Sequence, residues 1–260
     1  MQRGMPTGAM PKRPDGQRGV ISETVDLVDA AGLVSELSTS RIVVVALDVR
    51  RFDPLPPTLH DALSDGDRAA AARFRFPADR QRFRLGRGMV RHVVSAAVGM
   101  PAAELPLVAA DHGKPCLADA QAAVHFNVSH SGDLVLVAFG NLPVGIDIEM
   151  QRADIDLAAI AGTCFSAAER SDIFLAPADA QAKFFRYWTC KEAWIKADGR
   201  GLSLPLVEFT VTGLDAGDCR VQRGGIALPW RVRPLVVREG YEAALASTDA
   251  PWSVGLYTVT

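Results

Sequence analysis

No run of this chain comes near the roughly 18 consecutive apolar residues that a membrane-spanning helix needs, so no contact with a membrane is expected. Charge of one sign is not in excess either: 28 Lys and Arg stand against 30 Asp and Glu, a formal net charge of −2. A nucleic-acid binder normally shows a basic surplus, and none is present. Cysteine is scarce, and Cys116, Cys164, Cys190 and Cys219 form no C-x-x-C pair, which argues against zinc or dithiol chemistry. Scattered thiols fit a reducing cytoplasm. The basic N-terminus lacks the apolar core of a secretory leader, because Gly and Pro interrupt it. What remains is a cytoplasmic protein of ordinary build, 48% hydrophobic and 22% charged, with enough side chain for a real core. Its 260 residues exceed one average domain and fall short of two, which points to a two-lobed unit. No internal repeat is visible.

Residues 1 to about 20 are rich in Gly, Pro and charge and are expected to be disordered. The first packed element is expected near Arg41, where IVVVALDV reads as a buried strand. A helix should run from Asp79 to about Val98, with Phe83, Gly86, Val90, Val93 and Ala97 inward. Arg80, Arg84, Arg87 and Arg91 recur at i, i+4, i+7 and i+11 and share another face. Four like charges on one stripe make either a solvated surface or a seat for an anionic partner. Two strands follow around HFNVSHSGDLVLVAF, joined at a Ser-Gly-Asp turn, and VGIDIEM is another strand. Ser166 and Glu169 form a capping box, which needs no functional explanation. A long helix is expected from about Asp179 to Asp198, closed by Gly199. Phe184, Phe185, Tyr187, Trp188, Trp194 and Ile195 surround its axis, so it should be buried on most sides. The tail alternates short strands with turns. Strands and helices mix without a βαβ rhythm, and the class is α+β.

Asp147 and Glu149 are alternate residues of one strand, so their carboxylates share a face while Ile146 and Ile148 take the other. Two such anions raise each other's pKa unless a cation lies between them. Oxygen donors without His or Cys favour Mg²⁺, although an exposed acidic strand edge fits the pair as well. Glu192 and Lys196 stand at i and i+4 on the long helix, the spacing of a favoured helical ion pair. On a helix apolar nearly all round that pair is costly to bury. A third carboxylate beside Asp147 and Glu149 would resolve the cost by completing a metal site. Ser129 and His130, at a strand end before Gly132, suit a phosphate or simply a turn. Lys114, between Gly113 and Pro115, sits on a stiff turn where a lysine is ordinarily solvated.

Taken in order, HGKP, FNVSHSG, GIDIE and WTCKEAWIKADGRGLSLPL resemble the surfactin-synthetase type of 4′-phosphopantetheinyl transferase over roughly residues 41 to 260. The resemblance implies a monomer of two similar α/β lobes about a pseudo-twofold axis. Residues 41–143 would form the N-terminal lobe and 144–260 the C-terminal lobe, with 1–40 a largely disordered extension. It implies transfer of phosphopantetheine from coenzyme A to a serine of an acyl or peptidyl carrier protein, with Mg²⁺ in the cleft and release of 3′,5′-ADP. The carriers would belong to fatty-acid, polyketide or nonribosomal peptide synthases, with a leaning towards secondary metabolism. By the same resemblance Asp147, Glu149 and Glu192 would hold the metal, and Lys196 would meet the reacting pyrophosphate. Glu192 would take the serine proton. Lys114, Ser129, His130 and the arginine face (Arg80, Arg87, Arg91) would hold the coenzyme's phosphates. One departure stands out: the family often has a basic residue where this chain has Ala70, and Arg68 or Arg73 would have to substitute. Other readings of the same carboxylates are a different Mg²⁺-dependent phosphotransferase or nuclease, or a non-catalytic carrier-protein or nucleotide-binding module.

Overall fold

The computed structural model describes residues 20–259 apart from residue 28 and residues 38–39, 111–112 and 119–123. The tail expected to be disordered lies mostly outside that range, as does His112 of the HGKP segment. The first packed element is not at Arg41. Strand β1 (Val20–Val25) and helix α1 (Ala30–Ser35) come before β2 (Arg41–Asp48). These two elements are six residues each, too short for a periodic pattern to show. Asp29 caps α1 by accepting from the Gly32 amide at 2.9 Å.

Helices α2 (Pro57–Ala62), α3 (Asp65–Ala72) and α4 (Pro77–Val98) follow. The last starts with Pro at its first turn and stops at Gly99, whose φ of 72° suits a residue without Cβ. Next come β3 (Leu107–Ala109), β4 (Pro115–Leu117), β5 (His125–Ser131), β6 (Leu134–Gly140) and β7 (Val144–Met150). Helices α5 (Leu157–Cys164), α6 (Ala167–Ile173) and α7 (Ala180–Asp198) precede β8 (Phe209–Thr212), β9 (Cys219–Arg223), β10 (Ile226–Leu235), β11 (Tyr241–Thr248) and β12 (Ser253–Val259). The expected capping box opens α6, and Gly199 closes α7. Among the described residues no helix is long and apolar enough to cross a membrane.

The fold is mixed α+β, with two five-stranded sheets. The first has the order β1-β12-β2-β6-β5 and the second β7-β11-β10-β9-β8. Strand β12 is parallel to both β1 and β2, so the first sheet takes its second strand from the end of the chain. The expected boundary at 143/144 falls between the sheets, but segment 144–260 does not stay on one side of it.

Alternation along the strands builds three cores. Val43, Val45 and Leu47 of β2, with Val135, Val137 and Phe139 of β6, pack against Leu85, Met89 and Val93 of α4. Ile42 and Val44, with Leu134 and Leu136, face Ile146 and Ile148 of β7 and Leu245 of β11. The third core joins α7 to the outer face of the second sheet. Strand β2 is thus covered on both faces, which is why it reads as an unbroken apolar run. Each fully buried Val, Leu or Ile contributes about 1.5–3 kcal/mol.

Candidate active site

The edge strand of each sheet, β5 and β7, run side by side without belonging to one sheet. Side chains of β5 supply the bonds between them. Asn127 Oδ1 accepts from the Ile146 amide at 2.8 Å. Ser129 Oγ donates to Asp147 Oδ1 at 2.8 Å. Ser131 Oγ donates to Glu149 Oε2 at 2.8 Å and accepts from the Met150 amide at 3.0 Å. Every second residue of β5 therefore points at the seam.

Helix α7 lies against β7 at backbone distance. A Cβ on Gly145 would come within 2.1 Å of the Ala193 carbonyl oxygen and 2.3 Å of the Ala197 nitrogen. The missing side chain lets Lys196 cross the seam, where its Nζ lies 2.6 Å from Asp147 Oδ1 and 3.1 Å from Ser129 Oγ. Glu192 stands one turn earlier on the same helix. Lys114 approaches from the loop before β4 and donates to the carbonyls of Val144 (2.9 Å) and Lys196 (2.7 Å). A cavity of about 490 Å³ opens here, lined by Lys114, Asn127, Glu192, Lys196, Gly201 and Ser203 among others.

The charges are held under tension. Asp147 is 3% exposed, and its Oδ2 is buried with no hydrogen-bond partner among the described residues. Burial pushes the Glu149 carboxyl above its ordinary value; Asp147 adds to the rise, and the Ser131 hydrogen bond opposes it. Burial likewise raises Glu192, opposed by Lys196 and reinforced by Asp147 and Glu149. Among the described residues, however, no three His, Cys, Asp or Glu side chains are grouped so as to hold a metal ion by themselves. The expected three-carboxylate cage is not preformed, because Lys196 occupies one oxygen of Asp147 and Ser131 one oxygen of Glu149. The donor chemistry still fits a hard cation. Oxygens are the right ligands, the orphaned Asp147 Oδ2 offers one, and Mg²⁺ commonly uses one or two carboxylates plus water and phosphate.

Two family models match the chain. Residues 143–246 match the 4′-phosphopantetheinyl transferase superfamily, and residues 57–141 match the N-terminal 4′-phosphopantetheinyl transferase model. The chain is 38% identical over 181 residues to the 4′-phosphopantetheinyl transferase psf-1 of Bacillus pumilus, covering 69% of this chain and 76% of that protein. It is 36% identical over 186 residues to the transferase Sfp of Bacillus subtilis (strain 168), covering 71% and 82%. With the transferase AcpT of Escherichia coli (strain K12) it shares 30% identity over 193 residues, covering 72% and 89%. The chain belongs to the 4′-phosphopantetheinyl transferases of the surfactin-synthetase, or Sfp, type.

The transferase does not keep its arginines on one face for one purpose. Arg91 is 4% exposed. It pairs with Asp67 and donates to the carbonyls of Ala102 (2.7 Å) and Leu105 (3.0 Å) and to Ser64 Oγ (3.1 Å). Its donors are spent, so the expectation that it holds a coenzyme phosphate is corrected to a structural role. Arg87 also turns to Asp67, at 3.4 Å, and lies over the Phe83 ring. Arg80 is exposed, donates to the Phe74 carbonyl at 3.1 Å and borders a separate hollow with His60, Arg68 and Arg84. None of the three lines the cavity beside Lys196.

Ser129 and His130 are not a unit, because neighbouring strand residues face opposite ways. Ser129 is bound within the seam. Burial and then the charge of Arg82 hold the His130 imidazole below its usual range. Lys114 is a tie between backbone carbonyls rather than a solvated cation. The sequence reading missed Asn127, Ser131, Arg82 and Gly145. The polar alternation Asn127–Ser129–Ser131 was a visible period-two signal for the first two. Arg82 donates to the Gly132 carbonyl at 2.9 Å and lies off the four-arginine stripe that drew attention. Of the two candidates to replace a base at Ala70, Arg73 lines the same hollow as Ala70, with Phe74 and Phe83, whereas Arg68 pairs with Asp65 at 2.9 Å.

Proposed function

We propose that this transferase moves 4′-phosphopantetheine from coenzyme A to a serine of an acyl or peptidyl carrier protein in a Mg²⁺-dependent reaction that releases 3′,5′-ADP. The observation that carries the reading is that Glu192 and Lys196 line one cavity, that Lys196 also pairs with the buried Asp147, and that Asp147, Glu149 and Glu192 are close enough for their charges to repel. In the reaction the serine oxygen bonds to the β-phosphorus, and the bond from that phosphorus to the bridging oxygen breaks. 3′,5′-ADP departs with the bridging oxygen, and the serine proton passes to Glu192. Its raised pKa makes Glu192 a better proton acceptor than an ordinary carboxylate. Lys196, an ammonium beside the cavity, offsets charge that grows on the leaving pyrophosphate. Asp147, with Glu149 and Glu192 nearby, would hold Mg²⁺, which when bound would neutralise pyrophosphate oxygens as a Lewis acid.

Arg82 as a cation and the His130 imidazole as a hydrogen-bond donor would serve a coenzyme phosphate, with Arg80 and Arg87 as further basic groups. We further read the two sheets and their helices as two similar lobes about a pseudo-twofold axis, and the protein as a cytoplasmic monomer serving carriers of secondary metabolism. The test is the mass of a purified apo carrier protein after incubation with coenzyme A and Mg²⁺. A gain of one phosphopantetheine on serine is expected. An unmodified carrier, or cleavage of added DNA instead, would overturn the reading.

A further inference from the structure

Lys191 is adjacent to Glu192 yet turned away from the cavity. Its side chain and that of Glu169 are 0% and 1% exposed, and Lys191 Nζ lies 2.7 Å from Glu169 Oε2. The ammonium also donates to the carbonyls of Leu206 and Phe209, both at 2.8 Å, and of Cys164 at 3.2 Å. The rings of Phe209 and Phe165 flank it, with centroids 4.5 and 5.5 Å away. Glu169 in turn accepts from the Ser166 amide at 2.7 Å and from the Val211 amide at 2.7 Å.

Moving two charges out of water costs several kcal/mol per ion, and an apolar pair of similar volume often does as well or better for stability. Stability alone is therefore a poor reason for this pair. Its geometry suggests another. The end of α5, the start of α6, the middle of α7 and the turn entering β8 are all referenced to one ammonium. Two of those pieces shape the cavity: α7 carries Glu192 and Lys196, and the chain from Gly199 to Phe209 carries Gly201 and Ser203 on its rim.

We propose that Lys191 is a positioning residue for transfer, which through its buried pair with Glu169 fixes the rotation and depth of α7 and the approach of the Gly201–Phe209 rim. Glu192 and Lys196 then meet Asp147 and the bound donor at working distance. This rests on the assignment of Glu192 and Lys196 to the reaction. A directional cage of four oxygens constrains rotation about the helix axis, which an apolar contact does not. A displacement of about 1 Å at reacting groups is enough to cost two orders of magnitude in rate.

The test is the full-length double variant Lys191→Met/Glu169→Gln, which removes both charges and leaves neither buried alone. We expect a thermal midpoint within a few degrees of wild type, kcat lower by at least about tenfold, and KM for coenzyme A within about threefold. Wild-type kcat in the folded double variant overturns the proposal, as does a loss that falls wholly in KM. Should the double variant not fold, Glu169→Gln alone, which keeps acceptors for the Ser166 and Val211 amides, is measured per folded molecule. Full kcat there overturns the proposal, and a tenfold loss supports it. If wild-type protein labels no carrier, the assignment of function fails instead.

Discussion

Lys196 reaches down onto β7 to Asp147, 2.6 Å away, instead of back along its own helix to Glu192. The i,i+4 pair is worth only about 0.2–0.5 kcal/mol on a solvated helix. A carboxylate that is 3% exposed gains far more from a cation, because water cannot screen it. Glu192 is thereby left facing the cavity with its carboxyl raised.

The first prediction concerns Asp147. Replacing it by Asn keeps the shape and removes the charge. Transfer should fall by about two orders of magnitude or more. The thermal midpoint should move by only a few degrees, because losing the Lys196 pair is offset by relief of repulsion with Glu149 and Glu192. Unfolding of Asp147→Asn, or full activity in EDTA, would contradict the role given to this residue.

Lys196→Ala separates binding from chemistry. If the ammonium acts on charge that develops during transfer, kcat should drop about a hundredfold while KM for coenzyme A changes little. A change confined to KM would return Lys196 to a simple partner of Asp147.

Gly145→Ala tests the close approach of α7 to β7. The added methyl would meet the backbone of Ala193 and Ala197 at 2.1 and 2.3 Å, and such crowding costs about 1–3 kcal/mol or more. Stability and transfer should both fall. Gly162→Ala is the control, since a Cβ there meets nothing within 4 Å. Inside α5 it should raise stability by up to about 1 kcal/mol, with transfer unchanged.

Lys114 makes a prediction about pH. Burial lowers its pKa from 10.5 to about 8. Between those two values the unfolded chain keeps a proton that the folded chain has released, so rising pH favours folding there. The neutral amine still donates to both carbonyls. The Lys114 contribution should therefore raise stability from about pH 8 towards pH 10.5, and Lys114→Met should lack that slope. Denaturant titrations at pH 7.5, 8.5 and 9.5 on both proteins decide it; parallel curves would place Lys114 in ordinary solvent.

The hollow shared by Ala70 and Arg73 gives the last. Ala70→Arg should tighten coenzyme A a few-fold and leave dephospho-coenzyme A unchanged, while Arg73→Ala should weaken coenzyme A alone. Calorimetric titration of both ligands reads this directly. Equal effects on the two would show that the hollow does not sense the 3′-phosphate.

Much of this was legible in the sequence for identifiable reasons. Strand β2 and helix α7 carry long, unambiguous patterns, and the face shared by Asp147 and Glu149 follows from strand geometry alone. Helical spacing also grouped Arg80, Arg87 and Arg91 correctly on one side of α4. It could not say what lay opposite, and Asp67 of α3, the neighbouring helix packed against α4 and twenty residues before Arg87 in sequence, captured Arg87 and Arg91. Lys191 was passed over because burial of an ammonium depends on carbonyls from three other segments. Gly145 was invisible for a related reason: its importance lies in what α7 would strike.

The location of β12 bears on how the molecule is made. Ser253 pairs with Arg41 and Val254 with Ile42, so a central row of the first sheet joins residues more than two hundred positions apart. Until that last strand arrives, β2 has an unsatisfied edge and β1 has nothing to lie against. Assembly must therefore close on contacts of very long loop length, which are slow to form. Severed halves of this chain should not mature separately. During synthesis, that edge of β2 would stay exposed until residues Ser253–Val259 have been made.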